Sequence, residues 1–271
     1  MDGEPEVPPL VGPQLTHSER ILANAGLSAP QDEARSLLGA LLDTSTALLL
    51  AQPDRGMSLL EVEAYATWVA RRAAGEAFAH ITGHLAFMGL DITVGQQSPL
   101  PPPDAQRVVE TALEWARRSG LRELLAAEIG VGCGAISLAL AAFEPRFTRI
   151  YAIDSSAEAL RIASDNGARY LLNLVIHWVE GDDLDVIREP VDLIISAHKE
   201  MAFTPRFTQL LKQAPAKVRS GGALMCSVDG ASQAEVTAHL RGALPGAQVY
   251  LSPRFDGTIV AVAQTLRHPA Q

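Results

Sequence analysis

The sequence predicts an α/β protein: a helical bundle followed by a mainly parallel sheet with helices on both faces. Three observations carry this. From about residue 104 to residue 264, short apolar runs alternate with segments of helical period, and parallel neighbours need crossover connections of this kind. Residues 16–74 instead place leucine and alanine at spacings of three and four with no strand signal. Between them in character lies Glu128-Ile129-Gly130-Val131-Gly132-Cys133-Gly134, which leaves the apolar run 124–127 and enters the helix-forming segment 135–142. That order reads as strand, tight turn and helix, a cradle for a nucleotide-type ligand with backbone amides expected at the helix start. Glycine suits it because a Cβ would block positive φ values and close approach to the main chain.

Composition limits the function classes. With 271 residues, 48% of them hydrophobic, the chain can bury one sizeable core and a smaller second one. A formal net charge of -9 argues against a nucleic-acid partner, which needs a basic face. Cys133 and Cys226 are the only cysteines, so a disulfide framework is not expected and a reducing, cytoplasmic setting is. The acidic, proline-rich start and the lack of a long apolar run argue against a leader and a membrane span. No Cys/His cluster has metal-ligand spacing, and no metal is expected.

Taken in order, residues 1–14 carry several prolines and read as a disordered lead-in. Thr16-His17-Ser18-Glu19 has the form of a capping box, with Ile21, Leu22 and Ala25 behind it and Gly26 as a stop. Pro30 suits a first helical position, and Ala34, Leu37, Leu38, Leu41 and Leu42 form one stripe. Ser58-Leu59-Leu60-Glu61 opens a further helix whose Val62, Tyr65, Ala66 and Val69 share a face. Residues 15–83 therefore read as the bundle. Phe87-Met88-Gly89-Leu90 and the residues to Val94 read as a β-hairpin, so 84–103 is expected to be a hairpin linker that ends in the stiff segment Pro99 to Pro103. In residues 104–271 the expected strands are 124–129, 149–153, 175–180, 191–196, 223–228, 247–251 and 258–264. The expected helices are 104–118, 134–143, 157–169, 206–218 and 232–241.

Chemistry gathers at the strand ends. Asp154, twenty residues after Gly134, can accept both ribose hydroxyls of a nucleoside or instead cap the helix that follows. Asp182, in Gly181-Asp182-Asp183, can accept from an adenine amino group or be a solvated turn residue. Gly130, Gly132 and Ala135 also satisfy the dinucleotide fingerprint, which keeps a nicotinamide oxidoreductase open. Glu128 favours S-adenosylmethionine, because a carboxylate beside the loop attracts a sulfonium or ammonium and repels a pyrophosphate. The strand pair around Asp256-Gly257 suits the methyltransferase variant of the fold.

These residues resemble the HemK/PrmC family of peptide-chain release factor glutamine methyltransferases over roughly residues 16–196. Gly75-Glu76-Ala77-Phe78-Ala79-His80-Ile81-Thr82-Gly83 is similar to that family's Gly-Glu-Pro-Leu-Ala-Tyr-Ile-Thr-Gly, and the hairpin follows it. Residues 128–134 resemble its Asp-Leu-Gly-Thr-Gly-Ser-Gly loop, and Asp154, Asn166 and Gly181-Asp182 match later landmarks. The resemblance implies a seven-stranded, Rossmann-like class I methyltransferase domain behind a helical bundle. It implies S-adenosylmethionine held by Glu128, Gly130, Gly132, Gly134, Asp154, Asp182 and Ser196, and a release-factor-like protein substrate docking on the bundle.

The departures fall on the acceptor side. The family's Asn-Pro-Pro-Tyr is replaced by Ala197-His198-Lys199-Glu200 after a well-kept strand, and its Pro-Arg-Pro-Glu-Thr-Glu segment reads Pro101-Pro102-Pro103-Asp104-Ala105-Gln106. An amide nitrogen is a poor nucleophile, and two lost orienting bonds at ~1–1.5 kcal/mol each cost roughly a hundredfold in rate. The expected acceptor is therefore different, or activity reduced, with a non-catalytic binding relative as the alternative. His198 and Lys199 are the candidate catalytic residues, His198 as general base for a hydroxyl, amine or thiol; the competing reading is an exposed loop pair.

Overall fold

The computed structural model describes residues 9–96, 98–197, 204–228, 233–253 and 259–266. The chain divides into two compact units, Met1–His84 and Leu85–Gln271.

The first unit consists of α1 (Val11–Asn24), α2 (Pro30–Leu41), α3 (Thr46–Ala51), α4 (Leu59–Ala73) and α5 (Phe78–Thr82). Ala34, Leu37 and Leu38 of α2 pack with Val11, Leu22, Leu49, Tyr65 and Val69 in one apolar cluster. The fully buried Tyr65 hydroxyl donates to the Ala34 carbonyl at 2.9 Å, which satisfies its polar end inside that cluster. The expected face of α4 is narrower than its sequence stripe, because Ala66 is exposed. Ser58 and Glu61 form the capping box of α4: Ser58 N donates to Glu61 Oε2 at 2.6 Å and Glu61 N to Ser58 Oγ at 3.2 Å.

Two expectations for the first helix are overturned. Helix α1 begins at Val11, inside the expected lead-in, and Thr16 is no cap but a mid-helix residue whose hydroxyl donates to the Gly12 carbonyl at 3.1 Å. The reason is a long-range one. Val11 N and Gly12 N donate to the carbonyls of Arg55 and Pro53 at 3.0 and 2.8 Å, and Met57 N donates to Pro9 O at 2.7 Å. The orphan donors of the first turn find partners forty residues away, which no local pattern announces. Short α5 was likewise unannounced. Arg71 on α4 donates to Glu76 at 2.8 Å and to the His80 carbonyl, so the family-like segment 71–83 is a closed turn at this site.

A hairpin, β1 (His84–Phe87) and β2 (Leu90–Thr93), begins at the last residue of the first unit and is followed by α6 (Ala105–Ser119). Then come β3 (Leu124–Ile129), α7 (Ala135–Phe143), β4 (Phe147–Asp154), α8 (Ala157–Arg169), β5 (Ile176–Glu180) and β6 (Val191–Ser196). The chain closes with α9 (Pro205–Lys217), β7 (Val218–Val228), α10 (Gln233–Ala243), β8 (Gln248–Pro253) and β9 (Ile259–Gln264). The strands form a seven-stranded sheet in the order β5-β4-β3-β6-β7-β9-β8, parallel except for β9, which runs antiparallel to both neighbours. All six residues of β6 are buried, as a parallel strand covered on both faces requires. The turn at Asp256-Gly257 lies outside the described residues.

The chain builds outward from β3 to β4 and β5, then returns to place β6 on the other side of β3. That reversal makes a crevice at the carboxyl ends of β3 and β6, the standard ligand position in such sheets. One side chain joins three parts of the crevice wall. Asn166 of α8, fully buried, accepts from Thr93 N at 2.9 Å and donates to Thr93 O at 2.8 Å and to Cys133 O at 3.1 Å. It therefore ties the hairpin and the glycine turn to one helix. Arg169 and Tyr170 secure the same hairpin through Asp91, at 3.0 Å from the guanidinium and 2.8 Å from Asp91 N to the phenol oxygen.

Replacing Asn166 with alanine strands an amide and two carbonyls, a loss of about 3 kcal/mol. The check is a urea transition followed by tryptophan fluorescence, expected to shift to a lower midpoint with its slope unchanged. Asn166→Asp, which keeps an acceptor for Thr93 N but sets a buried carboxylate against the Thr93 and Cys133 carbonyls, should be at least as destabilised as alanine.

Candidate functional site

The glycine turn is a left-handed staircase. Gly130, Gly132 and Gly134 have φ of 78°, 55° and 89°, which L side chains rarely adopt. At Gly132 there is a second reason: an added Cβ would lie 2.8 Å from the Pro99 carbonyl oxygen. The close approach that demands glycine is thus made by the proline segment of this chain.

The amides of the turn are mostly spent within the protein. Gly130 N and Val131 N donate to Ile153 O at 2.8 and 3.3 Å, Gly132 N to Asp154 Oδ2 at 2.9 Å, and Gly134 N to Val131 O at 3.0 Å. This corrects the expectation of a cradle of exposed amides. A pyrophosphate needs several such donors free, so the arrangement disfavours a dinucleotide. Asp154, at the end of β4, also accepts from Ser156 N at 2.9 Å through its other oxygen. It is not the cap of α8; Ser156 is, accepting from Ala159 N at 3.2 Å. Each Asp154 oxygen carries one bond and has capacity for another, which leaves the half-buried carboxylate able to receive ribose hydroxyls.

Glu128 is the next-to-last residue of β3 and is 2% exposed. The Ser137 hydroxyl donates to its Oε2. Burial pushes the carboxyl up to about 8, the Ser137 bonds pull it down, and the charge of Asp154 adds to the rise. Burial likewise pushes the Cys133 thiol up to about 11, so this cysteine is no nucleophile at neutral pH. A cavity of ≈ 200 Å³ opens here, lined by Glu128, Gly130, Val131, Gly132, Ala135 and Ile136 on one side, Pro99 to Pro102 on another, and Ala197 after β6. Ser196 is buried at the end of β6, level with Ile129 and Cys226 in the flanking strands. Asp182 lies further along the edge, exposed, with Oδ1 accepting from Arg206 at 2.9 Å. Asp183 is a turn residue that accepts from Asp185 N at 2.9 Å.

The structure thus brings Glu128, Gly130, Gly132 and Asp154 together and places Asp182 at the neighbouring strand end. His198 and Lys199 lie outside the described residues. Among the described residues no group of three or more His, Cys, Asp or Glu can hold a metal ion, and no helix is long and apolar enough to cross a membrane. Sequence reasoning missed Ser137 and Arg206. Ser137 had a faint signal, a lone hydroxyl in the apolar run 135–142, whereas Arg206 approaches Asp182 from 24 residues away.

The fit to S-adenosylmethionine rests on chemistry as well as shape: a carboxyl without a cation at the cavity, a second carboxylate at the next strand end, and apolar walls. Comparison with known proteins agrees. Residues 14–83 match the PrmC N-terminal domain and residues 126–222 match a methyltransferase domain. S-adenosylmethionine is the cofactor that such a domain implies. The fold is similar to a precorrin-6y C5,15-methyltransferase from Geobacter metallireducens, with TM-score 0.50 and 15% identity over 64% of this chain and 94% of that one. It is also similar to the M. jannaschii tRNA m1G37 methyltransferase, with TM-score 0.53 and 14% identity over 69% and 55% of the two chains. In sequence, the chain is 33% identical to the release factor glutamine methyltransferase of Moorella thermoacetica, covering 88% of this chain and 81% of that one. It is 33% identical to that of Xylella fastidiosa over 261 residues, 92% of this chain and 89% of the relative. Identity of that extent, running through both units, shows that the chain belongs to the release factor glutamine methyltransferase family.

Proposed function

We propose that this protein transfers a methyl group from S-adenosylmethionine to an acceptor other than the glutamine of its relatives, on a protein that docks through the helical bundle. One observation carries the acceptor reading. Ala197 lines the cavity at the position where the family pattern has asparagine, so the wall presents a methyl group where an amide-orienting side chain would stand. When bound, S-adenosylmethionine supplies a methyl carbon on a cationic sulfur, open to in-line attack. The residues of this chain do the rest by placement. Asp154 receives the ribose hydroxyls while it pins Gly132 N, and Asp182 is within reach of the adenine amino group once Arg206 moves aside. Glu128 faces the positive end of the ligand, and Pro99, Pro101 and Pro102, which lack N–H donors, and the apolar Leu100 keep water from the reacting carbon. His198 and Lys199 follow Ala197 directly, and we assign them to the acceptor side, with His198 taking a proton from the nucleophile.

The bundle supports protein docking by exposed leucines. On α3, Leu48 and Leu50 are 45% and 52% exposed, and at the start of α4, Leu59 and Leu60 are 81% and 78% exposed. Exposed leucine pairs on adjacent helices of one unit are a surface that a partner can cover.

Calorimetric titration should show S-adenosylmethionine and its demethylated product binding and NADH failing to bind; Asp154→Asn, which turns an amide donor toward Gly132 N or Ser156 N, should weaken both ligands at least roughly tenfold. Incubation with labelled methyl donor, release factor and cell lysate should label an acceptor other than the release factor glutamine. Label on that glutamine would show that other groups orient it. The Leu59→Asp/Leu60→Asp double substitution should slow methylation of the protein acceptor about tenfold or more and leave cofactor affinity unchanged, as a docking surface requires.

A further inference from the structure

Helix α7 lacks a cap of its own. Its N-cap is Gly134, which has no side chain to offer, and its first turn holds no acidic residue. The missing acceptor comes from β3. Glu128 receives the hydroxyl of Ser137, the third residue of the helix. Ser137 is fully buried and Glu128 nearly so, and Glu128 is the acidic residue that lines the cavity. The same carboxyl is therefore shared between a helix end and a binding site.

We propose that Ser137 is a positioning residue for the methyl donor: by donating to Oε2 of Glu128 it fixes the carboxyl at the cavity wall in the orientation that receives the ligand's ammonium group. The inference rests on the donor-site reading above and deepens it. Its physical content is a choice of proton state. Free of ligand, Glu128 meets Asp154 from β4 and Cys133 from the turn, while its register neighbours Ala152 and Ile195 carry no charge. No described cation pairs with it, and burial favours its protonated form at neutral pH. Receiving an ammonium requires the ionised form, so the proton leaves Glu128 for solvent as the ligand enters, and binding tightens as pH rises toward about 8. The Ser137 hydroxyl stabilises the ionised carboxylate. Without it, the proton is held more tightly, and the pH dependence moves upward.

The experiment titrates S-adenosylhomocysteine, which has the ammonium and no sulfonium, into the full chain at pH 6, 7 and 8. Wild type should bind more tightly at each step. Ser137→Ala should bind roughly tenfold more weakly at pH 7, with its rise displaced to higher pH, and Ser137→Thr should restore most of the loss. Glu128→Gln should be flat with pH, and adding Ser137→Ala to it should change affinity little. Thermal unfolding of each variant separates these effects from loss of fold. The proposal is overturned if Ser137→Ala weakens binding equally at all three pH values, if it costs as much in the Glu128→Gln background, or if it costs nothing. A wild type that binds no ligand at any pH overturns the donor-site reading together with this one, whereas binding that ignores Ser137 overturns this one alone.

Discussion

The conformation of the glycine turn is the constraint on which the rest of the site depends, and two side chains from other elements impose it. Asp154 accepts from Gly132 N and Asn166 donates to Cys133 O, so two peptide units of the turn, 131–132 and 133–134, are held from two directions. Neither anchor is local. The turn leaves β3, while Asp154 ends β4 and Asn166 sits on α8, so the turn forms only when these elements are in place. Three alternate residues in the left-handed region would otherwise be one of many conformations open to so glycine-rich a stretch, and ordering it costs about 1–2 kcal/mol per residue in backbone entropy. The hydrogen bonds offset part of that cost and hold the Asp154 carboxylate against the turn.

The same wiring braces one side of the cavity. Asn166 also holds β2 through Thr93, and Gly132 contacts the carbonyl of Pro99, so hairpin, turn and proline segment are mutually braced. Altering any one disturbs the others. Ala197 belongs to no such brace: it follows the last residue of β6, and the cavity is its notable neighbour. Under the proposed acceptor reading, a substitution there alters what an acceptor meets and leaves these hydrogen bonds in place.

Most of the sheet was legible because its strands are long apolar runs with abrupt ends. The run 191–196 reads as a buried strand and is one, residue for residue, and Pro30 marks the start of α2. Boundaries moved where pairing, not pattern, sets them: β7 begins at Val218 instead of 223 because Val218 pairs with Val191. Helix α1 was misread at its start because its first-turn donors are satisfied by Pro53 and Arg55, and an isolated Thr-x-x-Glu spacing was given the capping role that Ser58 and Glu61 hold. At the site, residue types carried the reading of Glu128 and Asp154, since a carboxylate at a strand end has few structural uses. Their partners were hidden. Nothing in the spacing of Ser137 or Arg206 says that one meets Glu128 and the other Asp182, because these contacts depend on how helices lie against strand ends.

Two carboxyl groups at one strand edge pose an electrostatic problem that the free protein meets only in part. Asp154 is partly exposed and accepts from two main-chain amides. Glu128, buried, has Ser137 and the positive end of a short helix, and these do not offset its desolvation, so its carboxyl is pushed up to about 8. An apolar residue would fill the same space at lower cost, so stability does not account for an acid at this position. In the donor-site reading proposed above, a positive ligand group compensates the Glu128 carboxylate, whereas a phosphate would add to the repulsion.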